Sequence, residues 1–255
     1  MHPVLLTVRG VAVPSHAVFV GLGVLVAFVV FWVEVRRRGA FDDRLYVVVA
    51  LALFGGALGM RASGLVRHLD PARNPDVLDG FRYGAKSILG GLTGAYAGAL
   101  LGKRMAKYPY RTGDLFAPAV ALGMAVGRIG CLLAEPPGRP TALPWGVHAP
   151  ATLASCPGCV AGVAMHPSFA YEIAFNLLAF LALRRLRHVD LPPGETLTLY
   201  LAAYGAFRFL VEFTRANETV WLGLTRPQWF LVPTMALMAW HLLRRYALRP
   251  ALEVA

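Results

Sequence analysis

Between His16 and Glu34 the chain carries no charged side chain, and Arg36, Arg37 and Arg38 end the apolar run abruptly. At ~1.5 Å per residue, about 20 apolar residues in a helix cross ~30 Å of hydrocarbon, so the stretch from about Ser15 to Val35 reads as a membrane helix. Further runs lie near 45–65, 84–102, 114–134, 167–183, 194–214 and 227–243. The pattern predicts an all-α fold, a polytopic membrane helical bundle of about seven transmembrane helices. Residues 1–255 form a single transmembrane domain in this reading, with no soluble domain appended. The connection 135–166 contains Pro136, Pro137, Pro140, Pro144, Pro150 and Pro157, and is expected to fold as a cap on the outer face.

Glycines recur four residues apart at Gly55 and Gly59, at Gly90, Gly94, Gly98 and Gly102, and at Gly123 and Gly127. That spacing lets helix backbones approach closely in lipid. Gly84-Ala85-Lys86-Ser87 looks like part of a phosphate-binding loop, but the full glycine spacing and the strand-to-helix context are missing.

Composition supports the membrane reading. The chain is 57% hydrophobic and 15% charged, against roughly 45–50% and about 25% in soluble domains. Disorder, collagen and a disulfide scaffold are excluded by the apolar content, the aperiodic glycines and the presence of only 3 Cys. A formal charge of +11 raises the question of nucleic acid, but the 25 basic residues sort by membrane side instead. With the N-terminus outside, 14 fall in cytoplasmic segments, seven in outer segments and four within or at the edge of spans. That bias predicts N-terminus outside, C-terminus inside, and no nucleic-acid partner. The first 14 residues lack the features of a removable secretory signal, so the first run is expected to remain as a helix.

Arg61, Arg128, Glu172, Arg208 and Glu212 interrupt the spans. Each costs ~2.5–3.5 kcal/mol near the bilayer centre, so each needs a partner or a water-filled cavity. Arg208 and Glu212 sit four apart and can neutralise one another on one helix face. Arginine outnumbers carboxylate among these residues, and its planar fork of donors suits phosphate, which points to an anionic phospholipid head group. Transporter, lipid-binding protein and lipid-modifying enzyme all fit these features.

Gly127-Arg128-Ile129-Gly130-Cys131-Leu132-Leu133-Ala134-Glu135-Pro136-Pro137-Gly138-Arg139-Pro140, followed by Leu143-Pro144-Trp145-Gly146-Val147, resembles the signature of bacterial prolipoprotein diacylglyceryl transferases. His166-Pro167-Ser168 with Tyr171-Glu172, and Tyr204-Gly205-Ala206-Phe207-Arg208 with Val211-Glu212-Phe213, resemble two later motifs of that family. Weaker matches in the same order are His2-Pro3-Val4, Leu58-Gly59-Met60-Arg61 and Gly90-Gly91-Leu92. The resemblance implies an enzyme of the bacterial cytoplasmic (inner) membrane. It transfers diacylglyceryl from phosphatidylglycerol to the lipobox cysteine thiol in a prolipoprotein signal peptide, releasing glycerol phosphate. It implies catalytic roles for Arg128 and Arg208 as cations facing the departing phosphate. Substrate contacts are implied for His16, Arg61, Glu135, Gly138, Arg139, His166, Tyr171 and Glu212. No cofactor and no metal are expected.

The chain departs from the family pattern at Leu89, where the family has His before the paired glycines, at Cys131 in place of Asn, and at His16 in place of Tyr; the signature loop is one residue short. A thiol of pKa near 8.5 must lose its proton, and arginine is a poor base at neutral pH. His16, Glu135 and His166 are the replacement candidates, unless phosphate and arginine suffice. The residues also have plainer readings. His166 fits a hydrogen-bonded loop position, Tyr171 and Glu172 fit helix anchors, and Cys131 fits an inert apolar site. Cys156 and Cys159, on the oxidising side, fit a local disulfide better than a zinc site lacking its second ligand pair. A non-catalytic paralogue that binds or moves anionic phospholipid, and a transferase acting on another acceptor, are the alternative functions.

Overall fold

The computed structural model describes residues 2–66, 87–148 and 162–247. Cys156 and Cys159 lie outside the described residues, as does much of the expected 135–166 cap. Seven α-helices are present among the described residues: α1 (Ser15–Arg37), α2 (Arg44–Val66), α3 (Ile88–Met105), α4 (Gly113–Ala134), α5 (Ser168–Leu186), α6 (Glu195–Val211) and α7 (Arg226–Ala247). Each overlaps one of the apolar runs. The expected 84–102 run begins its helix later, at Ile88, because the Ser87 side chain accepts the Gly90 backbone N–H at 3.3 Å and caps the first turn. Three of the helices, α1, α4 and the Arg44–Ala62 part of α2, are long and apolar enough by themselves to cross a membrane.

The all-α expectation is amended by three two-stranded antiparallel ribbons. They are β1 (Val4–Val8) with β2 (Val11–Pro14), β3 (Val147–His148) with β4 (Ala164–Met165), and β5 (Thr219–Trp221) with β6 (Leu224–Thr225). The first and third turn through Arg9-Gly10 and Leu222-Gly223, all four residues at positive φ. That is the backbone a tight hairpin whose twist matches its strands requires.

The described residues fall into two compact units, Met1–Arg37 with Arg111–Ala255, and Arg38–Tyr110. In the second unit α2 and α3 run antiparallel through their glycines. A Cβ built on Gly55 would collide with the Gly94 carbonyl, and one on Gly94 with the Gly55 carbonyl, so the two backbones touch where a side chain would hold them apart. Arg44 Nη1 donates to the Lys107 carbonyl at 3.2 Å beyond the end of the pair.

The first unit is built inside out relative to a soluble protein. Leu178 is 66% exposed and Leu237 65%, while Glu34, Glu172, Glu195 and Glu212 are each at most 1% exposed. Water would reverse that distribution, whereas hydrocarbon outside and paired charges inside produce it. At one end of the unit the last turns of α1, α5 and α7 carry Arg36, Arg37, Arg184, Arg185, Arg244 and Arg245. Buried carboxylates tie the helix ends together there. Glu34 on α1 pairs with Arg187, just past α5, and with Arg37 at 3.0 Å. Glu195 on α6 pairs with Arg245 on α7 at 3.1 Å. Asp114 on α4 accepts the Gly194 N–H at 2.8 Å and bonds the Thr196 hydroxyl at the start of α6. Phe31 of α1 meets Phe116 of α4 at 4.7 Å between ring centres. The opposite ends of α1, α4, α5 and α6 form the site.

Candidate active site

Each wall of the site is a helix terminus. The last turns of α4 supply Arg128 and Cys131, with Glu135 as the C-cap. Near its N-terminus α5 supplies Glu172, and the last turn of α6 supplies Arg208. A 3-10 turn over Glu212–Thr214 then leads into Arg215. The start of α1 supplies His16. Arg128 Nη2 pairs with Glu172 Oε2, and the Tyr204 hydroxyl donates to the same oxygen at 3.5 Å. Arg208 pairs with Glu212 Oε2, as the four-residue spacing predicts, and the other Glu212 oxygen accepts from Asn217 Nδ2 at 2.6 Å and Thr225 Oγ1 at 2.9 Å. Asn176 donates to the Glu172 backbone carbonyl at 2.7 Å and accepts the Tyr200 hydroxyl at 2.7 Å, which locks the base of the cluster.

Arg215 joins the two pairs. Its Nη1 lies 3.1 Å from Glu172 Oε1, its Nη2 3.9 Å from Glu135 Oε2 and its Nε 4.0 Å from Glu212 Oε2. Its guanidinium stacks over the Phe169 ring at 4.4 Å. Burial pulls the Arg215 pKa below the ordinary arginine range, Arg208 and Arg128 add to that, and Glu172 and Glu212 oppose it. The expected excess of arginine over carboxylate is corrected here. Arg128, Arg208 and Arg215 face Glu135, Glu172 and Glu212, a balance that makes their burial together tolerable. Arg128 Nε nevertheless has no hydrogen-bond partner among the described residues, an unmet donor in a site otherwise closely paired.

A cavity of about 210 Å³ opens against this cluster, lined among others by Glu135, Gly138, Ser168, Phe169, Arg215 and Asn217. Gly138 is required there, because a Cβ would strike the Thr214 carbonyl and the Ser168 hydroxyl. Its N–H donates to the His166 carbonyl at 2.8 Å, and Arg139 N–H donates to the Thr214 carbonyl at 2.7 Å, stitching the signature loop across the start of α5. Arg139 itself is exposed, with its Nε on the Arg215 carbonyl at 3.0 Å.

A sequence model of the family described as prolipoprotein diacylglyceryl transferase matches residues 3–244. The chain belongs to that family. A Clostridium tetani protein named phosphatidylglycerol-prolipoprotein diacylglyceryl transferase is 32% identical over 225 residues, 85% of this chain and 86% of that protein. A Cereibacter sphaeroides protein of the same name is 37% identical over 202 residues, covering 73% and 67%. One from Bordetella bronchiseptica is 30% identical over 234 residues, covering 84% and 85%.

In this prolipoprotein diacylglyceryl transferase family member the motif residues are distributed unevenly. Arg128, Arg208, Glu212, Glu135 and His16 meet in the cluster, with Gly138 and Arg139 on the cavity side. His166 and Tyr171 form a separate contact, His166 Nδ1 lying 3.2 Å from the Tyr171 hydroxyl, which also accepts Trp145 Nε1 at 2.9 Å. Arg61 lies on α2, half-buried, in the Arg38–Tyr110 unit. Leu89 sits in the first turn of α3, its carbonyl accepting the Thr93 hydroxyl at 2.9 Å. Sequence reasoning missed Arg215, which it placed among the outer cations. The usable signal was its position three residues after Glu212, the spacing at which a helical turn folds an arginine back onto a carboxylate.

Proposed function

We propose that the chain transfers the diacylglyceryl group of phosphatidylglycerol to the lipobox cysteine thiol of a prolipoprotein and releases glycerol phosphate. The observation that carries this reading is Arg215, held between Glu172 and Glu212 in the wall of the cavity with Arg128 and Arg208 behind it. The substrate supplies the nucleophile, so the protein's task is to bind the phosphate and stabilise the charge it gathers as the glyceryl carbon–oxygen bond breaks. Fixed guanidinium groups in a water-poor cavity do that without reorganising during the reaction. The carboxylates hold the forks open in the absence of substrate, and a phosphate oxygen takes over part of their role when lipid binds. Arg128 and Arg208 are the proposed catalytic cations. Glu135, Gly138, Arg139, His166, Tyr171, Glu212, His16 and Arg61 are the proposed substrate contacts.

The chain is further proposed to be one transmembrane domain over 1–255, a multi-pass protein of the bacterial inner membrane. It crosses about seven times, with N-terminus outside and C-terminus inside. The gathering of the arginine-rich ends of α1, α5 and α7 at one end of the unit supports this, since such clusters favour the cytoplasmic side. The 135–166 segment is the proposed outer cap, supported by the backbone bonds from Gly138 to His166, Arg139 to Thr214 and Thr141 to Ala164 that fix its described ends beside the cavity.

The test is rescue of a strain depleted of its own transferase, with mass spectrometry of a model lipoprotein. The expected product carries diacylglyceryl on its lipobox cysteine. Phosphatidylglycerol binding without that product would replace the reading by the non-catalytic paralogue, for which Leu89 in place of the family histidine is the motivating residue. Modification of some other acceptor would replace it by a different transfer.

A further inference from the structure

Two of the three departures from the family pattern, His16 and Cys131, lie against one another. Cys131 Sγ is 3.7 Å from His16 Nδ1, and Glu135 Oε1 approaches the same nitrogen at 3.5 Å. All three ligand atoms lie within 4.8 Å of one another. The helices explain the convergence. Cys131 and Glu135 are four apart, on successive turns at the end of α4, and so share one face. Gly130 admits the backbone of α1 at His16, since a Cβ on it would fall 3.0 Å from the His16 Cα. Arg215 Nη2 sits 3.9 Å from Glu135 Oε2, so that carboxylate turns its other oxygen toward His16. Arg128 Nη1 approaches the sulfur at 3.8 Å.

This is not the arrangement of a nucleophile, base and orienting acid. There the thiol and the carboxylate occupy opposite nitrogens of the imidazole, whereas here both crowd Nδ1. A single ring nitrogen carries either one proton or one lone pair, so it serves the sulfur or the carboxylate but not both at once. Three donors of sulfur, nitrogen and oxygen type converging on one point are satisfied by a cation. Tetrahedral zinc, with Zn–S about 2.3 Å and Zn–N and Zn–O roughly 2.0–2.2 Å, sets its ligands about 3.3–3.6 Å apart. The His16–Glu135 edge already has that length and the Cys131–His16 edge is close to it. The Glu135 side chain, 39% exposed, has the freedom to close the third.

We propose that His16, Cys131 and Glu135 bind a divalent cation of the Zn²⁺ class, leaving a fourth position open to the thiol of the incoming lipobox cysteine. The choice of fourth ligand rests on the transferase reading above; the three-residue site does not. Three protein ligands with one open position is the stoichiometry of a reactive rather than a structural zinc site. A thiol bound there gives its proton to solvent and stays a thiolate. Its sulfur lone pair then attacks the glyceryl carbon, the carbon–oxygen bond to phosphate breaks, and that electron pair leaves on the oxygen of glycerol phosphate. The metal changes no oxidation state. It supplies the deprotonation that Leu89 cannot.

The experiment uses the purified full chain carrying Cys156→Ser and Cys159→Ser, so that Cys131 is the sole thiol. Co²⁺ is titrated first and then displaced with Zn²⁺. The expected result is one Co²⁺ per chain, a thiolate-to-cobalt absorption band, and loss of the band on displacement. Cys131→Ser abolishes the band. His16→Asn and Glu135→Gln each weaken binding by more than the ~10–100-fold that outer-shell changes cost. The pair Cys131→Asn with His16→Tyr, which restores the residue types of the family pattern, keeps the fold but loses the metal, and covers the case in which the serine variant does not fold. No band at saturating Co²⁺, or binding unchanged in the Cys131→Ser or paired variants, overturns the site. Undiminished lipidation by demetallated protein overturns its role toward the thiol while leaving the transferase reading intact. Metal binding without any lipidation sinks the transferase reading and leaves the site standing.

Discussion

Glu172→Gln isolates what the carboxylate charge contributes to the cluster. The substitution keeps volume and shape, so no cavity forms, and it removes the negative charge that Arg128 and Arg215 share. Arg215 retains Glu135 at 3.9 Å and Glu212 at 4.0 Å and is 16% exposed. Arg128 is left with the Cys131 sulfur, the neighbouring Tyr204 and the face of Phe169 at 5.6 Å. Removing one partner of a buried ion pair costs ~3–5 kcal/mol, because the other charge stays desolvated. At about 1.4 kcal/mol per power of ten, the unfolding constant should rise by roughly two to four powers of ten. Unfolding in mixed micelles of mild detergent and dodecyl sulfate, followed by fluorescence of the 5 Trp, reads this directly. Arg128→Gln should cost less, since Glu172 keeps Arg215. Arg128→Met with Glu172→Leu should recover much of the loss, as apolar replacements of buried pairs do. A loss below about 1 kcal/mol for Glu172→Gln would refute the assignment of Glu172 as the anchor of two buried guanidiniums.

Arg215→Gln is expected to lower lipidation by ~10²–10³ while melting less severely than Glu172→Gln, with Lys restoring only part of the rate; a rate loss matched by equal destabilisation would assign Arg215 to the scaffold. Gly55→Val forces a branched side chain against the Gly94 carbonyl and should cost ~1–3 kcal/mol in the same unfolding assay; an unchanged midpoint would mean that α2 and α3 do not touch there. In a Cys156→Ser, Cys159→Ser background, Thr7→Cys should label from outside intact cells and His188→Cys only after permeabilisation, and labelling of both from one side would refute the orientation. That background itself should retain most of the lipidation rate, as a disulfide that only stiffens the cap requires.

The helices were legible because a run of about 20 apolar residues has few other fates, and the Arg208–Glu212 pair because a helix brings positions four apart together. The ribbons were not. Val4–Val8 is apolar at four of five positions and exposed at all five, so it lacks the alternation that marks a strand. Arg9-Gly10 and Leu222-Gly223 were the available turn signals, but their meaning depends on a positive φ at the residue before each glycine. The Arg128–Glu172 pair joins helices 44 residues apart in sequence, a distance at which spacing carries no information. Arg215 reads as a loop cation until the turn at Glu212–Thr214 folds it over Phe169. The meeting of His16 with Cys131 was hidden for the same reason, since Gly130 gives no hint of which helix it will admit.

The carboxylate ties at the arginine-rich end of the five-helix unit set its mechanics. Glu34 with Arg187, Glu195 with Arg245 and Asp114 with the start of α6 fasten that end like the handle of a tuning fork. Helices fastened at one end can part only by pivoting about it, and any such parting is largest at the far tips, where a diacyl lipid must slip in from the side and a longer, thioether-linked product must slip out. A rigid handle converts a small angular change into tip displacement in proportion to helix length, about 1.5 Å of lever arm per residue. Loosening a tie would therefore slow lipid exchange at the distant end without touching any group that contacts substrate.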